Sequence, residues 1–125
     1  MQKIVSTNEA PAAIGPYAQA NIFENLIFTS GQIPLNPETG KIPAAVKAQT
    51  AQALSNLKAV LEAAGSSMDK VLKTTVFLKD MNDFAQVNDT YASFFTEGNF
   101  PSRSAVEVAR LPKDVLVEIE AVAYI

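Results

Sequence analysis

Two hydrophobic periods alternate along this chain. Between Ala44 and Ala64, the residues Thr50, Ala53, Leu54, Leu57, Val60, Leu61 and Ala64 recur every three or four positions, and Gly65 follows. That spacing predicts a helix with one apolar stripe and a stop after it. "KVLKTTVFLKD" (70–80) changes to a period of two, with Leu72, Thr74, Val76 and Leu78 on one face and Lys73, Thr75 and Phe77 on the other. This is the pattern of a half-buried strand. Helical spacing returns with Phe84, Val87, Tyr91, Phe94 and Phe95, where Asn82 is placed to cap the start and Gly98 to end the segment. Shorter apolar runs predict strands at 3–7, 25–34, 103–110 and 115–124. The prolines and Gly15 of "NEAPAAIGPYAQA" (8–20) predict a loop, and "PLNPETG" (34–40) a tight turn.

The expected order is therefore β, β, α, β, α, β, β in one domain spanning 1–125, without repeats or linkers. Strands interleaved with two helices favour an α/β or α+β sheet with both helices stacked on one face. The other face must then be covered in some other way. On the last strand that face carries Leu116, Glu118, Glu120, Val122 and Tyr124, because residues two apart point the same way. The set is too apolar for bulk water and too charged for a dry core, and predicts an oligomer interface containing a polar pocket.

Composition narrows the chemistry. Apolar residues make up 48% and charged residues 18%, which is globular. The net charge is −3 and the ten basic residues are scattered, so no nucleic-acid partner is expected. No apolar run approaches 18 residues and the amino terminus lacks a charged-then-apolar pattern, so no membrane partner is expected and the cytoplasm is the simplest location. Cysteine and histidine are both absent. Thiol nucleophiles, imidazole acids and bases, and the usual zinc ligand sets are thereby excluded. Any catalysis must rest on carboxylates, Arg, Lys, Tyr, Ser/Thr and backbone groups, with no metal expected.

In "FPSRSAVEVARLP" (100–112), Arg103 has no acidic residue closer in sequence than Glu107 and shares a strand face with the small Ala105. A guanidinium suits a planar anion because its fork meets both oxygens of a carboxylate. The plainer alternative is an inter-chain salt bridge to Glu107 or Glu120. Glu118 and Glu120 form a Glu-x-Glu strand pair that can hold a water and shift each other's titration, or can simply be solvated. In "TSGQ" (29–32), Ser30 and Gly31 end a strand, where the Gly31 amide can donate to an oxyanion or merely serve a turn. Tyr17 follows Gly15-Pro16, which can aim its phenol. Asn88 interrupts an apolar helical stripe, as a core hydrogen-bonding amide would. Phosphate loops, dinucleotide fingerprints and nucleophile–base pairs are missing.

Four blocks in fixed order, "IGPYAQA" (14–20), "FTSGQIP" (28–34), "VLKTTVFLKDMNDFAQVN" (71–88) and "FPSRSAVEVARLPKDVLVEIEAVA" (100–123), resemble the RidA/YjgF/YER057c/UK114 family over essentially the whole chain. The resemblance implies a chorismate-mutase-like α+β fold, with a mixed sheet and two helices on one face. It also implies a homotrimer with small-molecule sites between subunits. The implied activity is cofactor-free hydrolysis of enamine/imine acids such as 2-aminoacrylate and 2-aminocrotonate to 2-oxoacids and ammonia. By the same resemblance Arg103 grips the substrate carboxylate, Glu118 positions the hydrolytic water, and Tyr17, Ser30, Gly31 and Asn88 complete the site. Ala105 stands where many relatives carry cysteine, leaving only its backbone to contribute, and the loop "TEGNFP" looks shorter than in some bacterial relatives. Two other readings travel with these residues. One is a non-catalytic module that binds 2-oxoacids; the other is an endoribonuclease or translation inhibitor, which the acidic balance and the lack of histidine disfavour.

Overall fold

The computed structural model describes all residues from Met1 to Ile125. Six strands form one mixed sheet: β1 (Lys3–Val5), β2 (Ala20–Phe23), β3 (Leu26–Thr29), β4 (Val71–Leu78), β5 (Ser102–Glu107) and β6 (Val117–Tyr124). Their spatial order is β1-β2-β3-β6-β4-β5. Every neighbouring pair is antiparallel except β4 and β5, which are parallel and joined through a helix, as a parallel crossover requires. The two helices are α1 (Val46–Ala63) and α2 (Phe84–Ala92). The α+β expectation is met.

The helix-period and strand-period readings fare differently in detail. The stripe read for α1 is the stripe that is buried: Thr50, Ala53, Leu54, Leu57, Val60 and Leu61, with Gly65 at φ +88 beyond its end. Each fully buried Leu or Val contributes about 1.5–3 kcal/mol. These side chains meet Val117, Ile119, Ala121 and Ala123 of β6 and Ile27 of β3 in one core. Buried polar groups in this layer are all satisfied. Asn56 donates to the carbonyls of Ile33 (3.0 Å) and Leu35 (2.9 Å), and Gln49 joins Pro43 to Leu116 (both 2.8 Å), so two loops are tied to α1.

Four expectations need correction. The run 25–34 is not one strand and 8–20 is not all loop: Ala20–Phe23 and Leu26–Thr29 form a hairpin, giving six strands instead of five. Its two-residue link, Glu24-Asn25, contains no glycine, and Glu24 itself takes the positive φ of 55°. Leu72 does not share a face with Thr74, because the register of β4 against β6 jumps between Val71 and Lys73. The extra residue of this bulge turns Leu72 outward and leaves Val71 buried in its place. Asn82 does not cap α2. It lies in a 3-10 turn, Met81–Asp83, that Asp80 caps by accepting from the Asn82 amide at 2.9 Å, and α2 follows from Asp83 without a side-chain cap. Finally, α2 ends at Ala92, so Phe94 and Phe95 follow the helix instead of belonging to it.

Along β6 the residues Val117, Ile119, Ala121 and Ala123 are buried beneath the helices, while Glu118, Glu120 and Val122 alternate with them on the far face. That far face also carries Phe28 of β3, opposite Val122, and Val106 of β5, opposite Phe77. Phe28 is 47% and Val106 42% exposed in the single chain. The far face thus carries two partly exposed apolar pairs with Glu118 and Glu120 between them, and no element of the chain covers it.

Candidate active site

The sequence-predicted residues fall into two groups on opposite faces of the sheet. Arg103 and Ala105 sit beside Thr74 and Val76 in the parallel β4–β5 register, and paired residues point to the same side. Thr74 is fully buried and its hydroxyl meets the Tyr91 hydroxyl of α2 at 2.6 Å, so this is the helix-covered side. Glu118 pairs with Phe77, which has the opposite parity, and faces the uncovered side. Within one chain, Arg103 and Glu118 do not meet.

Around Arg103, helix α2 supplies three residues at positions i, i+4 and i+7. Phe84 and Tyr91 offer their rings, with the guanidinium carbon 5.2 Å and 4.9 Å from the two centroids. Asn88 lies between them and accepts a 2.7 Å hydrogen bond from Nη1. Each cation–π contact contributes about 0.5–1 kcal/mol at an exposed site. More usefully, the stack fixes the plane of the fork. Arg103 has no carboxylate partner: the chain's salt bridges are Lys47–Asp89 and Arg110–Asp114. Glu107, the nearest acid in sequence, instead accepts from the Met81 amide at 2.9 Å. The guanidinium has five N–H donors, of which one is used on Asn88, and Arg103 lines a cavity of about 400 Å3 together with Asn88, Tyr91, Ala92, Phe100 and Pro101. Burial pushes the Tyr91 phenol above its ordinary range despite the lowering effects of the Thr74 hydrogen bond and the Arg103 charge, so it stays neutral.

The second group gathers at the end of β3. Gln32 exchanges backbone hydrogen bonds with Ile119 (2.8 and 3.1 Å), which brings Gly31 against Glu118. A Cβ at position 31 would lie 2.8 Å from the Glu118 carboxyl carbon and would collide with its Oε2. A side chain at position 31 therefore fits only if the Glu118 carboxylate swings aside. Ser30 and Gln32 both donate their backbone amides within the chain, while the Gly31 amide has no partner in it. The Ser30 hydroxyl donates to the Ala18 carbonyl at 2.6 Å. Tyr17 and Gly31 line a second cavity, about 260 Å3, together with Gln19, Gln32 and Lys113. The Glu118 carboxyl is pushed above the usual carboxylate range, chiefly by burial and then by the neighbouring negative charge of Glu120.

The aromatic flank of Arg103 was not anticipated as part of a site. Phe84 and Tyr91 read as core stripe, and in part they are; the signal was present in the i, i+4, i+7 spacing of Phe84, Asn88 and Tyr91 on one helix face. The arrangement can bind a carboxylate at one group and orient a water or transfer a proton at the other. No cluster of metal-ligating side chains occurs, and no helix is long and apolar enough to cross a membrane.

Comparison with known proteins agrees over the full length. The family described as Endoribonuclease L-PSP matches residues 7–125. The 2-iminobutanoate/2-iminopropanoate deaminase of Escherichia coli strain K12 is 62% identical over 125 residues, covering 98% of both chains. Among solved structures, the Escherichia coli YjgF gene product superimposes with a TM-score of 0.94 at 61% identity, covering 98% of each chain. Escherichia coli TdcF with bound serine gives a TM-score of 0.94 at 50% identity, again over 98% of each. By sequence blocks, fold and full-length identity alike, this chain belongs to the Endoribonuclease L-PSP family, whose RidA/YjgF branch those blocks resemble.

Proposed function

We propose that this protein is an enamine/imine deaminase that hydrolyses small 2-imino acids to 2-oxoacids and ammonia, in a cleft that forms between copies of the chain. The observation that carries the reading is the acid-free Arg103, its plane set by Phe84 and Tyr91 and its edge by Asn88. Relatives 58–62% identical that are named 2-iminobutanoate/2-iminopropanoate deaminases support the reaction class.

Arg103 binds the substrate carboxylate through two parallel N–H donors, an interaction strengthened where water is excluded. 2-Aminoacrylate first gains a proton from solvent on its terminal carbon and becomes the iminium form of 2-iminopropanoate, whose C=N carbon is electrophilic. Glu118 accepts a proton from water as the oxygen attacks that carbon and the C=N electrons move to nitrogen. The carbinolamine then collapses: Glu118 returns its proton to the nitrogen, the C–N bond breaks to release ammonia, and the hydroxyl proton passes back to Glu118 or to water as the carbonyl forms. A carboxyl held above its ordinary range suits both directions of transfer. The unpartnered Gly31 amide donates to the oxygen that bears charge, and the Tyr17 phenol closes the opposite wall. General acid–base help of roughly 10²–10⁴-fold is adequate for so reactive a substrate.

Because the Arg103 and Glu118 groups occupy opposite sheet faces, a complete cleft takes one group from each of two copies. The apolar far face of the sheet supplies the contact, and a cyclic homotrimer repeats the junction three times. The cytoplasm is the location that fits an enzyme acting on intermediates released by pyridoxal-phosphate-dependent dehydratases. The test is ammonia release from 2-aminoacrylate generated in place by a dehydratase. Wild-type protein accelerates it and Arg103→Ala does not; equal rates for the two contradict the carboxylate clamp.

The family description favours a second reading, RNA cleavage. A net charge of −3 and the absence of histidine weigh against it. RNA cleavage that survives repurification and is lost in a site variant is the result that supports it.

A further inference from the structure

One buried polar residue is used by neither the core nor the reaction described above. Gln19 is 4% exposed and lies between the Tyr17 loop and β2. Its Oε1 accepts from the Thr7 amide at 2.7 Å, and its Nε2 donates to the carbonyls of Thr7 (3.0 Å) and Pro11 (2.8 Å), with a longer contact to Ala10 (3.5 Å). Its backbone carbonyl accepts from the Ser30 amide at 2.9 Å, and the carbonyl before it, of Ala18, accepts from the Ser30 hydroxyl at 2.6 Å. The segment 12–18 is thus tied at its start through Pro11 and at its end through Ala18 and Gln19. Between the ties, Gly15 takes φ +115° and the Tyr17 amide bonds to the Gly15 carbonyl at 3.0 Å, a tight turn around Pro16 that presents the phenol to the Gly31 cavity.

We infer that Gln19 and the Ser30 hydroxyl form a latch that positions Tyr17, and that Ser30 is a positioning residue and not a substrate ligand. The inference rests on the deaminase reading. A serine hydroxyl has one proton, and here a short hydrogen bond commits it to Ala18; it cannot also donate to a substrate carboxylate. The donor left free beside it is the Gly31 amide. Removing the Ser30 hydroxyl should therefore act through the Tyr17 loop.

A double-mutant cycle separates the two roles, using full-length protein and dehydratase-generated 2-aminoacrylate. Ser30→Ala and Tyr17→Phe are each expected to slow turnover about tenfold, and the double variant to be no more than about twofold slower than the worse single, because residues acting as a unit are non-additive. Ser30→Thr, which keeps a hydroxyl, is expected to restore most of the rate. Gln19→Leu lowers both turnover and melting temperature, so Ser30→Ala, outside the core, carries the test. Losses that multiply to about a hundredfold in the double variant overturn the latch, as does a Tyr17→Phe protein with wild-type turnover. A wild-type protein that leaves 2-aminoacrylate untouched defeats the deaminase reading and the latch with it; additive losses in an active protein defeat the latch alone.

Discussion

The Arg103 group and the Glu118 group are built by opposite means. Arg103 stands on an edge strand and is held by side chains alone: two aromatic faces and one amide from a single helix. Gly31 and Glu118 sit where two strands exchange backbone hydrogen bonds, and the fit is so close that a methyl group on Gly31 would push the Glu118 carboxylate aside. The first group orients a charge that is present regardless of surroundings. The second sets a titration, because burial and Glu120 shift Glu118. A binding anchor tolerates an exposed, side-chain-built setting, whereas an acid–base group needs its distance to burying atoms fixed by the backbone.

The contrast can be broken from either side. Arg103→Ala should have the largest effect, lowering kcat/KM by roughly 10²–10⁴-fold, since two charge-assisted hydrogen bonds are lost. Initial rates of 2-oxoacid formation measure it. Glu118→Gln should lower kcat by roughly 10²–10³-fold while calorimetry still detects pyruvate binding. Stability should move the other way. A carboxyl whose folded pKa is raised stabilises the fold below its unfolded value and loses that contribution as pH rises through the folded one. Glu118→Gln should therefore melt higher than wild type at neutral pH, with the gap closing in acid. Gly31→Ala should cost about tenfold to a hundredfold in kcat by displacing the Glu118 carboxylate. Asn88→Ala should raise KM a few-fold with kcat nearly unchanged, because the aromatic stack still holds the guanidinium. The smallest effect should come from Glu120→Gln. Removing that charge lowers the Glu118 pKa, so the acid limb of the kcat profile moves to lower pH.

The parts of the fold legible in the sequence were those with sustained periodicity. The α1 stripe and the alternation of β6 depend on many residues each, and local exceptions cannot hide them. The β2–β3 hairpin was missed because its turn is Glu24-Asn25, where positive φ falls on a residue type that does not signal it. The Leu72 bulge was missed because it arises from how β4 pairs with β6, which no local pattern contains. For the site, parity separated Arg103 from Val106 and Glu118 from Ile119 correctly. It does not say on which side of the sheet the helices lie for each strand. The opposition of the two groups thus became visible only with the β4–β5 and β4–β6 registers in hand. Likewise the hydrogen bond from the Ser30 hydroxyl to Ala18, twelve residues away, is a contact that no local pattern contains.

The central claim is that a working cleft joins the Arg103 group of one copy to the Glu118 group of another. Co-expressing Arg103→Ala and Glu118→Gln chains with different affinity tags, and purifying through both, isolates mixed oligomers. In a mixed trimer of either composition one junction of the three keeps both groups intact, so about one third of wild-type turnover should return although each variant alone is inactive. Mixed oligomers as inactive as their parents would contradict it.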